Sequence, residues 1–171
     1  LGQDVDGRMI THHAGVADGA RSALVLWPEH KTAVSLLSNA QWVSSIEQSS
    51  MVLAAPFETA PATLQKADCP TGTTRYQGKF GDRIMTGTAE FSIVQGVCEG
   101  RLMLDKAMQD YFNDFPQNNV DSLKIIGIDP AAGLARAALV TPIGLYDLRA
   151  QTDGSHKARF SRSRNFELRF E

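Results

Sequence analysis

Four histidines and two cysteines are the side chains of this 171-residue sequence with the most capacity for chemistry near neutral pH. His12 and His13 are adjacent, and on a strand neighbouring side chains point to opposite faces, so the two cannot chelate one metal ion from one side. His30 and His156 fall in turns between apolar runs, and no set of ligands converges in the sequence. Neither a metal nor a cofactor is expected. Cys69 and Cys98 make no Cys-x-x-Cys motif, and neither has a histidine close in sequence, which leaves a disulfide or two buried thiols. A bond between them would close a loop of about 30 residues, contribute roughly 3 to 4 kcal/mol in the chain-entropy account, and speak for an exported protein. Arg159, Arg162, Arg164 and Arg169 are interleaved with Asp153, Glu167 and Glu171 and read as a solvated face rather than an anion site. With 17 basic against 19 acidic side chains and a net charge of -2, the chain lacks the electrostatic footprint of a nucleic-acid binder.

The elements that must position these residues change character near residue 56. Apolar runs at 8–13, 20–27 and 32–38, parted by residues 14–19 and by Pro28-Glu29-His30-Lys31, predict three consecutive antiparallel strands. Ser44-Ser45-Ile46-Glu47 offers a hydroxyl N-cap and an acidic first turn for a helix to about Ala55, with Val43 as its staple. Pro56, Pro61 and Pro70 interrupt regular structure, so residues 57–72 read as a linker. Beyond it, short runs at 74–80, 84–94, 97–104, 122–128, 134–141, 143–150, 156–160 and 166–170 predict an antiparallel barrel, or a sandwich, over 73–171. The expected fold class is an α+β piece of three antiparallel strands plus a helix, residues 1–56, followed by an all-β barrel-like domain. The longest apolar candidate, residues 23–27, stops at Pro28, so no run reaches the roughly 20 residues of a membrane-spanning helix. Residues 1–7 read as a strand tail entering an Asp-Gly turn, with neither an initiator Met nor a signal peptide. The chain is therefore expected to be the C-terminal part of a larger protein.

The series Thr11-His12-His13-Ala14-Gly15-Val16, then Ala20-Arg21-Ser22-Ala23-Leu24-Val25-Leu26-Trp27, then Ala33-Val34-Ser35-Leu36-Leu37-Ser38-Asn39, resembles the C-terminal part of the serine β-lactamase-like family. That family includes class C β-lactamases, penicillin-binding proteins, D-aminopeptidases and related esterases. The resemblance covers about residues 1–56, with His13-Ala14-Gly15 in the place of the family's Lys-Thr-Gly or His-x-Gly triplet. It implies acyl transfer through a serine-bound intermediate on an ester, amide or peptide. His13 would supply a polar or cationic group beside the site. Gly15 would let substrate approach the strand, and the Val16 amide would serve as an oxyanion donor. Ala14 lacks the triplet's hydroxyl, which points toward an esterase or aminopeptidase-like parent.

The family's Ser-x-x-Lys nucleophile motif is missing from these 171 residues. Thr63-Leu64-Gln65-Lys66 imitates it on the wrong side of the triplet, and Tyr111-Phe112-Asn113 imitates the Tyr-x-Asn motif in the wrong domain. The resemblance implies a small-molecule or peptide substrate and a periplasmic or otherwise exported location, while the charge balance and the short apolar runs lead to the expectation of no nucleic acid and no membrane span. It also implies a partner, the N-terminal part of the hydrolase domain, on the same protein or a companion chain. Tyr76-Gln77-Gly78-Lys79-Phe80 resembles, by position and texture, the start of the small lipocalin-like barrels appended to such hydrolases. Residues 110–116, with Tyr111, Phe112, Phe115 and Pro116, are expected as an irregular loop that either shades the hydrolase cleft or plugs the barrel. The alternative for the whole chain is a non-catalytic binding or structural module.

Overall fold

The computed structural model describes residues 2–4, 6–58, 64–114, 119–158 and 165–171. The chain divides into two compact units, Leu1–Ala62 with Ile143–Leu145, and Thr63–Pro142 with Tyr146–Glu171.

In the first unit, β1 (Gly2–Gln3), β2 (Met9–Ala17), β3 (Ala20–Trp27) and β4 (Thr32–Ser38) form an antiparallel sheet in sequential order. Helix α1 (Ile46–Ala54) packs on one face, where Ile10, Val25, Trp27 and Ala54 form a core with Val34 and Met51 at its margin. The alternation of β3 puts Ala23, Val25 and Trp27 under the helix and leaves Leu24 on the other face. β2 runs through Ala14, Gly15 and Val16, where the sequence reading placed a break. Cross-strand pairing carries it through, Ala14 with Ala23, Gly15 with Ser22 and Val16 with Arg21, up to the turn at Gly19 (φ 78°). Ser45 occupies the N-cap position of α1 but makes no capping bond. Its hydroxyl donates instead to the Ile143 carbonyl at 2.6 Å, and the Ser49 hydroxyl accepts from the Leu145 amide at 2.9 Å. The Ser45 amide also donates to the Ile143 carbonyl, at 3.2 Å, so the residue is turned toward a segment distant in sequence, a pairing that local pattern does not carry.

Eight strands form a closed antiparallel barrel, all in the second unit apart from Gly144 and Leu145 at the start of β10: β5 (Gly72–Phe80), β6 (Arg83–Val94), β7 (Val97–Met103), β8 (Ser122–Gly127), β9 (Arg136–Thr141), β10 (Gly144–Ala150), β11 (His156–Ala158) and β12 (Phe166–Phe170). Closure removes the sheet edges that an open meander would expose. The interior is packed rather than hollow. Phe80 stacks on Phe166 (4.4 Å between centroids), and Tyr146 and Phe112 lie against the same ring. Gly87 is required here, because a Cβ would lie 2.4 Å from the Met103 carbonyl that the Tyr76 hydroxyl reaches at 2.8 Å. Burial, aided by the Asp105 charge, pushes the Tyr76 phenol up to about 12.

Residues 106–113 are helical, which corrects the expected loop at 110–116. Helix α2 (Lys106–Asn113) starts at Asp105, whose carboxylate accepts from the Met108 amide, and buries Met108 and Phe112 completely. The missed signal was an Asp N-cap followed by apolar residues at i+3 and i+7. Phe112 packs among barrel aromatics, and Phe115 and Pro116 lie outside the described residues. Cys69 and Cys98 are disulfide-bonded, and no free cysteine remains. No helix among the described residues is long and apolar enough to cross a membrane.

His156 lies inside the barrel wall, 7% exposed, its ring 5.3 Å from that of Phe170. Neither ring nitrogen makes a well-formed hydrogen bond. Burial dominates and lowers its pKa, with the Leu134 backbone opposing. The unfolded chain then binds the proton first, so stability is complete above the ordinary histidine value of about 6.5 and falls as the pH drops through and below it. Thermal melts at pH 7.5 and pH 5 should show a smaller difference for His156→Phe than for the native chain, and equal differences would contradict this.

Candidate functional site

β1 covers β2 only at Met9 and Ile10, through the pairs Gln3 with Met9 and Gly2 with Ile10. Among the described residues, 11–17 of β2 therefore form an open edge with unpaired backbone groups, a surface on which another extended chain can be read. The triplet His13-Ala14-Gly15 and Val16 all lie on this edge. Alternation places His13 and Gly15 on the helix-free face, opposite Leu24 and Ser22, and His12, Ala14 and Val16 on the other. His12 and His13 are both exposed and Val16 is 68% exposed, so neither imidazole is a satisfied core histidine.

Gly15 has a second reason to be glycine. A Cβ there would lie 2.4 Å from the Ser22 hydroxyl, so its absence makes room for a polar group from β3 beside His13. Ser22 was not singled out from the sequence, although counting register back from the Asp18-Gly19 turn places it opposite Gly15.

A second polar cluster was also missed. Arg8 donates to Asp4 (Nε to Oδ2, 2.7 Å), Asp6 (Nη2 to Oδ2, 3.1 Å) and Glu58 (Nη1 to Oε2, 3.1 Å). Trp27 Nε1 donates to Asp4 Oδ2 at 3.0 Å, and His30 Nδ1 lies 2.7 Å from Glu58 Oε2. His30 is thus in its expected turn but tied to a buried carboxylate. Burial would raise Asp4, yet the bonds from Trp27, Arg8 and the Asp6 amide prevail and hold it below the usual carboxylate value. The guanidinium fills the centre where the three carboxylates converge, which is structural closure of the sheet end rather than a cation site. Among the described residues, no group of histidine, cysteine or acidic side chains is arranged to hold a metal.

In the barrel, a groove of about 680 Å³ is lined by Thr73, Glu90, Glu99, Arg101 and Lys124. Its cations are already matched, Lys124 with Glu99 at 2.8 Å and Arg101 with Asp121 at 3.2 Å. Tyr111-Phe112-Asn113 lies on α2 with Phe112 fully buried. Thr63 of the Thr63-x-x-Lys66 sequence lies outside the described residues, as do Arg159, Arg162 and Arg164. Arg169 donates to the Asp153 carbonyl at 2.7 Å.

No family model matches this sequence, and no curated protein or solved structure matches it either.

Proposed function

We propose that these residues are the C-terminal part of a serine hydrolase of the β-lactamase-like superfamily, acting on an ester, amide or peptide through an acyl-enzyme. The observation that carries the reading is the triplet His13-Ala14-Gly15 on an open strand edge, followed by two further strands and a helix packed on one face. The other face of the sheet keeps Leu24 44% and Leu37 79% exposed, which fits a sheet whose second layer is supplied by the N-terminal part of the hydrolase. In this reading the nucleophile lies outside these 171 residues. His13 stands beside the substrate as a donor, Gly15 keeps the approach clear, and the Val16 amide helps to hold the developing oxyanion. The missing hydroxyl at Ala14 favours an esterase or aminopeptidase-like substrate. The disulfide fits an exported, periplasmic-type location.

The test is intact mass spectrometry of the protein isolated from its source, before and after a fluorophosphonate probe. A label on a serine of the polypeptide that contains or accompanies these residues is expected. If none takes the label, the reading fails. In the labelled enzyme, His13→Ala should lower turnover about 100-fold with little change in melting temperature, since the side chain is exposed. Unchanged turnover with a large loss of stability would remove His13 from the site.

A further inference from the structure

Residues 67–70 reach the barrel before β5 begins and are fastened at both ends. At one end the Leu134 amide donates to the Ala67 carbonyl at 2.8 Å, within an isolated parallel bridge between Ala67 and Gly133. Gly133 adopts φ 57°, and a Cβ there would lie 2.4 Å from the Ala67 carbonyl, so the approach requires glycine on both grounds. At the other end Cys69 is bonded to Cys98 of β7, with its sulfur 3.9 Å from the Ser92 carbonyl on β6. The strap thus runs from the β8–β9 connection to the β6–β7 hairpin. Beneath its first anchor Leu134 is 1% exposed.

The strap contributes nothing to the closure of the barrel. The ladders joining β5 to β6 and to β12 begin at Gly72 and Tyr76, and every other interstrand pair lies later in the chain. Lys66 and Asp68 are exposed, and among the described residues the segment is held chiefly by the bond at Ala67 and the disulfide.

We propose that Cys69–Cys98 is a redox latch, and that its reduction by a dithiol releases residues 66–71 and frees the Leu134 amide while the eight strands stay closed. The two sulfurs differ in access, Cys69 being half-buried and Cys98 only 3% exposed. A thiolate of the reductant attacks Cys69 Sγ, and the S–S bond breaks with its electron pair on the Cys98 sulfur, which takes a proton. The second thiol of the reductant, as its thiolate, then attacks its own sulfur in the mixed disulfide and displaces Cys69, which is protonated in turn. The products are two protein thiols and one oxidised, cyclic reductant, with two electrons and two protons transferred. This device is independent of the proposed hydrolase activity.

The experiment is hydrogen exchange read by mass spectrometry on the full chain, with and without dithiothreitol, with alkylation to verify that both thiols are free. In the reduced chain the Leu134 amide should exchange at least about 100-fold faster than amides of β8 and β9 in the same sample. Cys69→Ser, which keeps Cys98 in place, should show the same pattern without reductant. Two outcomes overturn the latch. In one, Leu134 remains as protected as in the oxidised chain although both thiols are free. In the other, β8 and β9 lose protection together with Leu134, and the bond is a staple of the whole barrel.

Discussion

Asp147→Ala should destabilise the barrel by about 3 to 5 kcal/mol, the cost of stranding a buried charge whose partner has been removed. Asp147 accepts two parallel bonds from Arg136, Nε to Oδ1 at 3.0 Å and Nη2 to Oδ2 at 2.9 Å, with side-chain exposures of 5% for Arg136 and 2% for Asp147. Arg149 adds bonds from Nε (3.1 Å) and Nη2 (2.8 Å) to the same Oδ2. Two guanidiniums therefore share one carboxylate, and removing it leaves Arg136 buried and uncompensated. For a domain near 100 residues the loss corresponds to a fall in melting temperature of roughly 15 °C or more. The double variant Arg136→Met/Asp147→Leu should recover most of it, because apolar residues of similar volume carry no desolvation penalty. A single variant within about 1 kcal/mol of the native chain would show that the pair contributes no more than a surface bridge does.

Arg8→Ala should be comparably severe in the first unit, at about 3 kcal/mol or more. It would leave Asp4, Asp6 and Glu58 facing one another, with side chains 3%, 8% and 2% exposed. Glu58 Oε1 already lacks a partner, and the neighbouring donors Trp27 and His30 are already engaged, with Asp4 and Glu58. The two tryptophans of the chain, Trp27 and Trp42, both belong to this unit, so fluorescence reports it without interference from the barrel. The fluorescence-detected urea midpoint should fall markedly for Arg8→Ala. An unchanged midpoint would mean that solvent satisfies the carboxylates as well as Arg8 does. Acid should act on the same cluster from the other side. The Asp4 carboxyl is held below its ordinary value, so its contribution is complete above about 3.8 and is lost as the pH falls below that.

The strands were legible because alternation and turn residues are local. Residues 166–170 read as a final strand from Phe166, Leu168 and Phe170 alone, and they form β12. The run at 20–27 became β3 with the same bounds, for the same reason. Residues 110–116 read as an irregular loop from their aromatics and the interleaved Asp110, Asn113 and Asp114, whereas the start of α2 is set upstream, by the Asp105 cap. The extension of β2 was hidden because Ala14 and Gly15 are poor strand formers taken singly. Pairing with Ala23 and Ser22 overrides that preference.

For the candidate site, the triplet and its order of elements could be read directly, since both are statements about neighbours in the chain. That β2 offers its edge over residues 11–17 could not, because edge status depends on how far β1 reaches along it. The placement of Ser22 over Gly15 belongs to the same class of facts.

By itself the sequence determined which segments alternate, where the chain must turn, and that a mixed first part is followed by an all-β part. Those follow from short-range sterics and from the period of apolar residues, which every copy of the chain carries whatever it touches. Only the tertiary structure decided that eight of the strands close into a barrel with a filled interior. It alone joined Arg8 to Glu58, Arg136 to Asp147, and Ser45 to Ile143. A buried polar group must find its partner wherever folding brings one, and that requirement acts through space rather than along the chain.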